Sequence, residues 1–468
     1  MEVTDDAGTS LPPGPTAPAW WQTATYARDP VTALERWAAR HGDLFTVRIV
    51  GMPPLVFAAA PAELRQIFTA SPAQLEGGAA SGQVKPIVGA RSVLTLDGDE
   101  HHRHRRMMLP PFHGERMATY AAVMRDVTRR SMATWPVGRP FALHPHLLRI
   151  TLEVILRTVF GIDAPARLDT FAGLFASLVA RWSSPLLPML ALYGIDPIRL
   201  APWLPVARDK QALDRALREE IARRGACAGA SAAGAAGAAR AGAAAAGTDI
   251  FSLLLAARDD AGQPLTAEEL RDELVTLMVA GHETSATALA WAFERLLVHP
   301  DVLARVRAEL ATITGADGAV DVARAGELPY LDAVVRETLR QRPILAFVAR
   351  RAAAPFELGG YRVPAGTYLC PAIHLAHRRA ESYPQPERFE PERFVGKKVD
   401  PYVFLPFGGG GRRCLGMAFA LVEIKVILAT VLSSATLALD GGRPLARALR
   451  GITVAPAGGT RVIRARSR

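Results

Sequence analysis

The sequence predicts a mainly α-helical protein with a small β portion. Apolar residues recur at the helical period through most of 97–210 and 250–339, whereas short strand-like runs flank these regions. Half of the residues are hydrophobic and 21% are charged, so the chain can bury a sizeable core and is not a disordered protein. Its 468 residues fit two or three ordinary domains or one large one.

The two kinds of pattern follow a definite order along the chain. Helices are predicted by apolar periodicity over 31–40, most of 97–210, 250–339 and the apolar tract that follows Cys414 and includes 426–439. Strands are predicted by short β-prone runs between glycine and proline at 44–50, 54–57, 356–366, 451–455 and 461–463. A proline-broken apolar stretch, 182–203, interrupts the first helical region and could form a lid over a hydrophobic pocket.

Residues 225–247 are almost entirely alanine and glycine. Alanine favours helix, but the interspersed glycines and the missing apolar stripe predict a flexible surface insertion.

The N-terminus gives no sign of export or of membrane anchoring. It begins with acidic residues, and no run of about 18 charge-free apolar residues follows. The three cysteines, Cys227, Cys370 and Cys414, give no disulfide framework. We therefore expect a soluble cytoplasmic protein without a membrane anchor.

The formal net charge of +10 raises the question of a nucleic-acid partner. The arginines are spread along helical patterns, with no recognition motif and no basic tail beyond 461–468. A docking face for an electron donor and a generally basic soluble surface account for the charge equally well, and no nucleic-acid partner is expected.

The most informative run is FGGGGRRCLG at 407–416. The apolar stretch 417–422 predicts a helix that begins just after Cys414, and its free N–H groups would favour a thiolate. Four glycines let the backbone approach a flat cofactor, Phe407 can cover the sulfur, and Arg412 can reach a carboxylate. These features suit a cysteine that serves as an axial haem ligand.

A zinc site, a phosphate-binding loop and a plain buried thiol all fit this cysteine less well. A structural zinc site needs about four ligands at short spacings, and the three cysteines are far apart without a Cys-x-x-Cys pair. A phosphate-binding loop needs a different glycine register. A lone buried thiol is common, but it requires none of the neighbouring residues.

The order Phe-x-x-Gly-x-Arg-x-Cys-x-Gly resembles the haem-binding signature of the cytochrome P-450 family, the haem-thiolate monooxygenases, at every specified position, Gly416 included. The resemblance implies haem b with the Cys414 thiolate as axial ligand. It also implies a cytochrome P-450-like fold in a single domain, 1–468, with the haem between a long central helix and the helix after the cysteine loop.

The run AGHET at 280–284 lies within a helix predicted to begin near Ala267. A glycine in mid-helix costs about 1 kcal/mol relative to alanine, which suggests that something approaches the backbone there. The run resembles the family's central-helix motif, which implies that Thr284 hydrogen-bonds the oxygen substrate and Glu283 relays protons. A plain helix-packing contact with a solvated Glu283 is the alternative.

Two further residue pairs match motifs of the same family. Glu337 and Arg340 alone are an ordinary i,i+3 pair, but the resemblance joins them to Arg393 of the run PERF in a buried structural triad. His101 and Arg105 resemble the family's His-x-x-x-Arg helix, which contacts a haem propionate; a solvated basic helix is the alternative. Arg350, or Arg351 beside it, would be another propionate contact.

The resemblance implies a soluble enzyme that inserts one atom of O₂ into an apolar organic substrate, such as a fatty acid or terpene. The segment 344–348 and the loop before Asp97 would line its pocket. No flavin or nicotinamide motif is present, so a ferredoxin or flavodoxin with its reductase would supply electrons to a monomer. A peroxygenase or rearranging enzyme and a non-enzymatic haem sensor are the alternatives.

Overall fold

The computed structural model describes residues 10–112, 116–182, 187, 190–191, 193–234, 249–315 and 319–465. Its α-helices are α1 Ala19–Arg28, α2 Pro30–His41, α3 Pro61–Thr69, α4 Lys85–Val88, α5 Gly98–Met108, α6 Arg116–Ala133, α7 Leu143–Thr158, α8 Pro165–Trp182, α9 Pro197–Leu200, α10 Pro205–Gly234, α11 Ile250–Ala256, α12 Ala267–Val298, α13 Pro300–Ala311, α14 Pro329–Gln341, α15 Ile373–Ala376 and α16 Met417–Ser434. The predicted mainly α-helical class is confirmed.

Within the residues that the structure describes, the strands are short and form four small sheets. They are β1 Leu44–Val47, β2 Leu55–Ala58, β3 Leu75–Glu76, β4 Pro140–Ala142, β5 Arg350–Ala352, β6 Phe356–Leu358, β7 Tyr361–Val363, β8 Tyr368–Pro371, β9 Leu437–Leu439, β10 Arg447–Arg450, β11 Thr453–Pro456 and β12 Arg461–Arg464. Their order is β1-β2-β8-β5-β3, β4-β12-β9, β10-β11 and β6-β7. Within the five-stranded sheet, β2 and β8 are parallel.

The helix α12 is the axis of the helical part. It begins with a capping box in which the Thr266 hydroxyl accepts from the Glu269 N–H, while the Glu269 carboxylate accepts from the Thr266 N–H. Its second half is apolar on most sides and includes the buried rings of Trp291 and Phe293. Because α7 and α16 pack against it, α12 lies within the core.

The helix α16 follows the cysteine loop. Among the described residues it is the one helix long and apolar enough to cross a bilayer, but 61% of it is buried inside the protein, as expected of a core helix. The sequence prediction took this tract as helical to residue 439, which is wrong at its end. The helix stops at Ser434, and Leu437–Leu439 instead pairs with β12.

The alanine- and glycine-rich segment is described only in part. Helix α10 continues to Gly234, so the first ten residues of 225–247 have helical backbone rather than the irregular one expected. Alanine's high helix propensity explains this extension. The remainder, 235–247, lies outside the described residues, as do 183–186, 188–189 and 192 of the expected lid.

Candidate functional site

The loop that carries Cys414 is held by its own backbone. The Cys414 N–H donates to the Phe407 carbonyl at 2.9 Å, and the Gly408 N–H donates to the Leu405 carbonyl at 2.9 Å. Gly416 then caps the N-terminus of α16. The sulfur therefore lies at the start of a long helix, as the sequence predicted.

One glycine of the loop is required by a close approach. Gly410 has a φ of +65°, and a Cβ there would lie 2.1 Å from the carbonyl oxygen of Phe68 on α3. Any side chain would push the loop off α3. The glycine run thus brings the loop backbone against a neighbouring helix.

Cys414 is solvent-accessible although it lies deep in the protein. Burial raises the pKa of its thiol, while the Gly416 N–H, which donates to the sulfur, and the charges of Arg105 and Arg413 lower it. The residue is therefore reachable by solvent, while its thiol is desolvated. A thiol bound to a metal ion there would be deprotonated.

The middle of α12 also contains accessible residues among buried ones. Ala280 is exposed and Thr284 is half-buried, although the flanking turns of this helix are buried. The Thr284 hydroxyl donates to the Ala280 carbonyl at 2.6 Å. A Cβ on Gly281 would lie 3.0 Å from Ile155 of α7; what approaches the backbone there is therefore a packed side chain.

Glu283 is turned toward the hairpin of β10 and β11. Its carboxylate accepts from the Thr453 hydroxyl at 3.3 Å and lies 3.9 Å from Nε of Arg450. Burial raises the pKa of Glu283, and Arg450 and Thr453 partly offset that shift. Glu283 is therefore neither the freely solvated residue of the alternative nor bonded to Thr284.

Four of the predicted propionate contacts lie close to one another. His101, Arg350 and Arg412 line one cavity of about 50 Å³, and Arg105 is near enough to lower the pKa of both His101 and Arg412. Burial and Arg412 lower the pKa of Arg350 to about 10. Burial, Arg412 and Arg105 lower the pKa of His101 to about 3, so the imidazole is uncharged at neutral pH.

The side chains of Arg350 and Arg351 lie on opposite sides of β5. Arg351 points outward and pairs with Glu76 across β3 and β5, with a shortest distance of 2.7 Å between Nη2 and Oε2. Arg350 points inward, and its Nη1 donates to the Ala349 carbonyl at 2.8 Å. Successive residues of a strand face opposite sides, so only Arg350 reaches the cavity.

Glu337, Arg340 and Arg393 come together as a buried group. Arg340 donates to both carboxylate oxygens of Glu337 at 2.6 and 2.8 Å, and Nε of Arg393 lies 3.7 Å from Glu337. Arg340 also donates to the carbonyl of His377, whose Nε2 accepts from the Leu405 N–H. The group is thereby joined to the residues that begin the cysteine loop.

Asp97 was not among the predicted site residues, although it directly precedes α5. It ion-pairs with Arg412 at 2.6 Å and accepts backbone hydrogen bonds at 2.9 Å from Gly77, Gly78 and Ala79. An aspartate at a helix start is typical of an ordinary N-cap. Nothing local reveals that its carboxylate binds another segment.

His104, one turn after His101, contacts a different helix. Its Nδ1 lies 2.7 Å from Glu273 of α12, so the histidines of α5 do not converge on one point. Among the described residues no group of three or more His, Cys, Asp or Glu could hold a metal ion.

These residues fit a haem group. A clustered set of arginines beside one carboxylate leaves an excess of buried positive charge, which the two propionates of haem would neutralise. The sulfur of Cys414 at the start of α16 could bind its iron, and Arg105 lies close enough for its charge to act on both the sulfur and Arg412.

Comparison with known proteins gives one consistent result. The family model described as "Cytochrome P450" matches residues 12–458. The Mycobacterium tuberculosis protein named cytochrome P450 135B1 is 37% identical over 467 residues, which are 99% of this chain and 92% of that protein. Cytochrome P450 137 of the same organism is 36% identical over 459 residues, 96% and 90% of the two chains.

Two solved structures share the fold. A cyanobacterial CYP120A1 with retinoic acid bound superposes with a TM-score of 0.79 at 24% identity, covering 98% of this chain and 99% of the other. The haem domain of cytochrome P450DA gives a TM-score of 0.81 at 22% identity, covering 98% and 97%.

Proposed function

Because the chain belongs to the cytochrome P450 family, we propose that it hydroxylates or epoxidises an apolar organic substrate, such as a fatty acid, a terpene or a similar secondary metabolite. Members of the family are haem-thiolate monooxygenases, so the chain is an oxidoreductase that uses O₂. The observation that carries the proposal is the accessible Cys414 within a desolvated site.

Cys414 would be the axial thiolate of haem b. The Gly416 N–H would donate to the sulfur, and Phe407, whose carbonyl accepts from the Cys414 N–H, would cover it. His101, Arg105, Arg350 and Arg412 would hold the propionates by charge-assisted hydrogen bonds. When bound, the haem supplies the activation of O₂, and electron donation from the thiolate favours O–O cleavage.

Thr284 and Glu283 would deliver protons. The Thr284 hydroxyl donates its hydrogen bond to the Ala280 carbonyl. Its lone pairs are therefore free to accept a hydrogen bond from a water and to hold that water in place. Glu283 has a raised pKa and a loose contact with Arg450. A carboxyl group with a pKa shifted toward neutrality suits reversible proton transfer.

Glu337, Arg340 and Arg393 would act as structural support, since their contacts reach the cysteine loop through His377. The segment 344–348 and the loop before Asp97 would line the substrate pocket. Two electrons would come from a ferredoxin or flavodoxin with its reductase, which a basic surface would attract. We infer a cytoplasmic monomer that acts as one catalytic domain and binds no nucleic acid.

The test uses the haem-loaded full-length protein. Fatty acids and terpenes are screened for a low-to-high-spin shift of the absorption spectrum, and those that bind are incubated with NAD(P)H and surrogate redox partners. Products carrying one oxygen atom from ¹⁸O₂ support the proposal. Turnover with hydrogen peroxide alone would indicate a peroxygenase, an isomerised product a rearranging enzyme, and no turnover of any ligand a haem sensor.

A further inference from the structure

A polar cavity of about 450 Å³ lies between α2, the segments that follow α14 and α15, and the segment that enters β10. Its lining differs entirely from that of the cavity that contains the predicted propionate contacts. Its charged lining residues are Glu35, Arg342, Arg378, Glu387 and Arg447. A cavity of this size is typical of a site for a small organic molecule rather than a single ion.

Two of the three arginines in this cavity are paired with carboxylates. Arg447 donates to both carboxylate oxygens of Glu35, at 2.8 and 3.2 Å. Arg378 donates to Glu387 at 3.1 Å and lies 3.9 Å from Glu35. His374 also contacts Glu35 at 2.7 Å. Burial and Arg378 lower the pKa of His374 to about 3, so this imidazole adds no charge at neutral pH.

The third arginine, Arg342, forms no ion pair with a carboxylate in the described part of the chain. Its guanidinium carbon lies 4.9 Å from the centroid of the Trp291 ring, and its Nε is buried without an acceptor among the described residues. Burial and nearby arginines lower the pKa of Arg342 to about 10, which Glu294 offsets only in part because Arg295 binds both oxygens of that carboxylate. A desolvated charge without a partner is costly, so an anion that pairs with Arg342 would stabilise the folded protein.

We propose that this cavity binds a small organic monocarboxylate, whose carboxylate pairs with Arg342. Three arginines and two glutamates line the cavity, so its formal charge is +1 and one carboxylate neutralises it. A phosphate dianion would instead leave excess negative charge beside Glu35 and Glu387. Leu445 and Ala446 complete the lining and give a short hydrocarbon body an apolar surface to pack on.

The cavity is linked to the buried group of Glu337, Arg340 and Arg393. Nη2 of Arg378 donates to the carbonyl of Gln341 at 3.1 Å, and Nη1 of the adjacent Arg340 donates to the carbonyl of His377 at 2.8 Å. A ligand between Arg342 and Arg378 would therefore hold together two segments that also support the cysteine loop. Because it would bind the folded protein only, it should raise the melting temperature by mass action.

The test measures the melting temperature of the haem-loaded full-length protein as butyrate is added at constant ionic strength, with sodium chloride as the balancing salt. The bound haem keeps the propionate contacts occupied. Butyramide, which has the shape of butyrate without its charge, and inorganic phosphate are the comparison ligands. We expect a saturable rise with butyrate, none with butyramide and a weaker rise with phosphate.

Two variants change the cavity in opposite directions. Arg342→Gln should weaken butyrate binding at least about tenfold, because charge-assisted hydrogen bonds are lost. Glu387→Gln removes a negative charge whose side chain is 75% exposed, and should tighten butyrate binding roughly two- to fivefold. The matched control is Arg305→Gln on α13, whose guanidinium carbon lies 4.0 Å from the centroid of the Tyr330 ring. It removes a ring-stacked arginine outside the cavity and should bind butyrate as the native protein does.

Several outcomes would overturn the proposal. An equal response of all four proteins to butyrate is a general salt effect, and an equal response to butyramide removes the role of charge. Tighter binding of phosphate than of butyrate contradicts the assignment to a carboxylate. Butyrate that shifts the haem spin state and still binds Arg342→Gln lies at the haem and not in this cavity. If Arg342→Gln loses its haem, Glu387→Gln decides, and unchanged or weaker butyrate binding in that variant contradicts the proposal.

Discussion

Asp97 and Arg412 form an ion pair at 2.6 Å between Oδ1 and Nη2. The same carboxylate accepts from the backbone N–H groups of Gly77, Gly78 and Ala79, each at 2.9 Å. Arg412 is therefore fixed by a residue that also fixes the segment before α4. The orientation of a guanidinium in the candidate haem site depends on three parts of the chain separated by up to 335 positions (412 minus 77).

Substitution of Asp97 by asparagine should destabilise the protein. An amide offers one acceptor oxygen and turns an N–H donor toward other donors, so at least one backbone N–H loses its acceptor and Arg412 loses its charged partner. We expect the free energy of unfolding in urea to fall by about 1–3 kcal/mol. The control is Asp99→Asn, at an exposed residue in the first turn of α5, which should change it by less than about 0.5 kcal/mol; equal effects of the two would contradict the role of Asp97.

The features that the sequence predicted well are those set by neighbours in the chain. The start of α12 follows from Thr266 and Glu269 three residues apart, and the start of α16 follows from the apolar run after Cys414. The β1–β2 pair needed only two β-prone runs and a turn between them, and the two strands are antiparallel.

What the sequence could not show depends on distant partners. Strand β8 lies between β2 and β5 in the sheet, but its parallel partner β2 is more than 300 residues earlier. Strand β9 was assigned to a helix because it pairs only with the distant β12. The choice between Arg350 and Arg351 likewise required the pairing of β5 with β3, which turns Arg351 toward Glu76.

Arg340→Lys should be strongly destabilising. Arg340 is fully buried and donates to Glu337 and to the carbonyls of His377 and Pro386. A lysine cannot reproduce this planar set of donors, so Glu337 would be left poorly paired at a cost of about 3–5 kcal/mol. Urea unfolding monitored by circular dichroism measures the loss.

The control for Arg340→Lys is Arg324→Lys. Arg324 also forms an i,i+3 pair, with Glu327, but the two side chains are 50% and 65% exposed. Surface pairs contribute little, so this variant should be within about 0.5 kcal/mol of the native protein. A similar loss of unfolding free energy in both variants would mean that the buried group of Glu337, Arg340 and Arg393 stabilises the protein no more than a surface pair does.

Cys414→Ser should abolish the absorption band that a thiolate ligand gives to the reduced carbon monoxide complex. The hydroxyl is a much weaker ligand than a thiolate, so haem content should fall as well. Cys370→Ser serves as the control, because Cys370 is fully buried in β8, where burial raises the pKa of its thiol. A thiolate-type spectrum that persists in Cys414→Ser would mean that another residue binds the iron.

Glu423 should make stability depend on pH. It is fully buried in α16, and neither carboxyl oxygen has a hydrogen bond of normal geometry with a described residue. Burial raises the pKa of Glu423 to about 8, and Ser285 of α12 offsets this only in part. Between about pH 4.5 and 8 the unfolded state loses this proton while the folded state keeps it, so the free energy of unfolding falls as pH rises.

Glu423→Gln isolates that effect, since the amide has the same shape and does not titrate. The difference in unfolding free energy between variant and native protein should shift in favour of the variant from about pH 5 to about pH 8, by roughly 3–4 kcal/mol. Urea titrations at several pH values measure it. A difference that is independent of pH would show that Glu423 is ionised in the folded protein throughout.

Thr284→Ala tests proton delivery. The substitution removes a hydroxyl whose hydrogen bond is to its own helix, so folding, haem content and substrate affinity should change little. What should fail is coupling, because a positioned proton-transfer group contributes roughly 10²–10⁴-fold to the step it serves. NAD(P)H would still be consumed, but more of the electrons would leave as hydrogen peroxide, although Ser285 or a water could soften the loss.

The quantity to measure is product formed per NAD(P)H consumed, with peroxide assayed in parallel. Thr128→Ala is the matched control, because the Thr128 hydroxyl makes the same bond to the fourth residue before it, Met124, but lies buried in α6. That variant should stay fully coupled even if it loses some stability. If Thr284→Ala is coupled as well as Thr128→Ala, the Thr284 hydroxyl serves only to satisfy its helix, and protons reach the site by a route that does not include it.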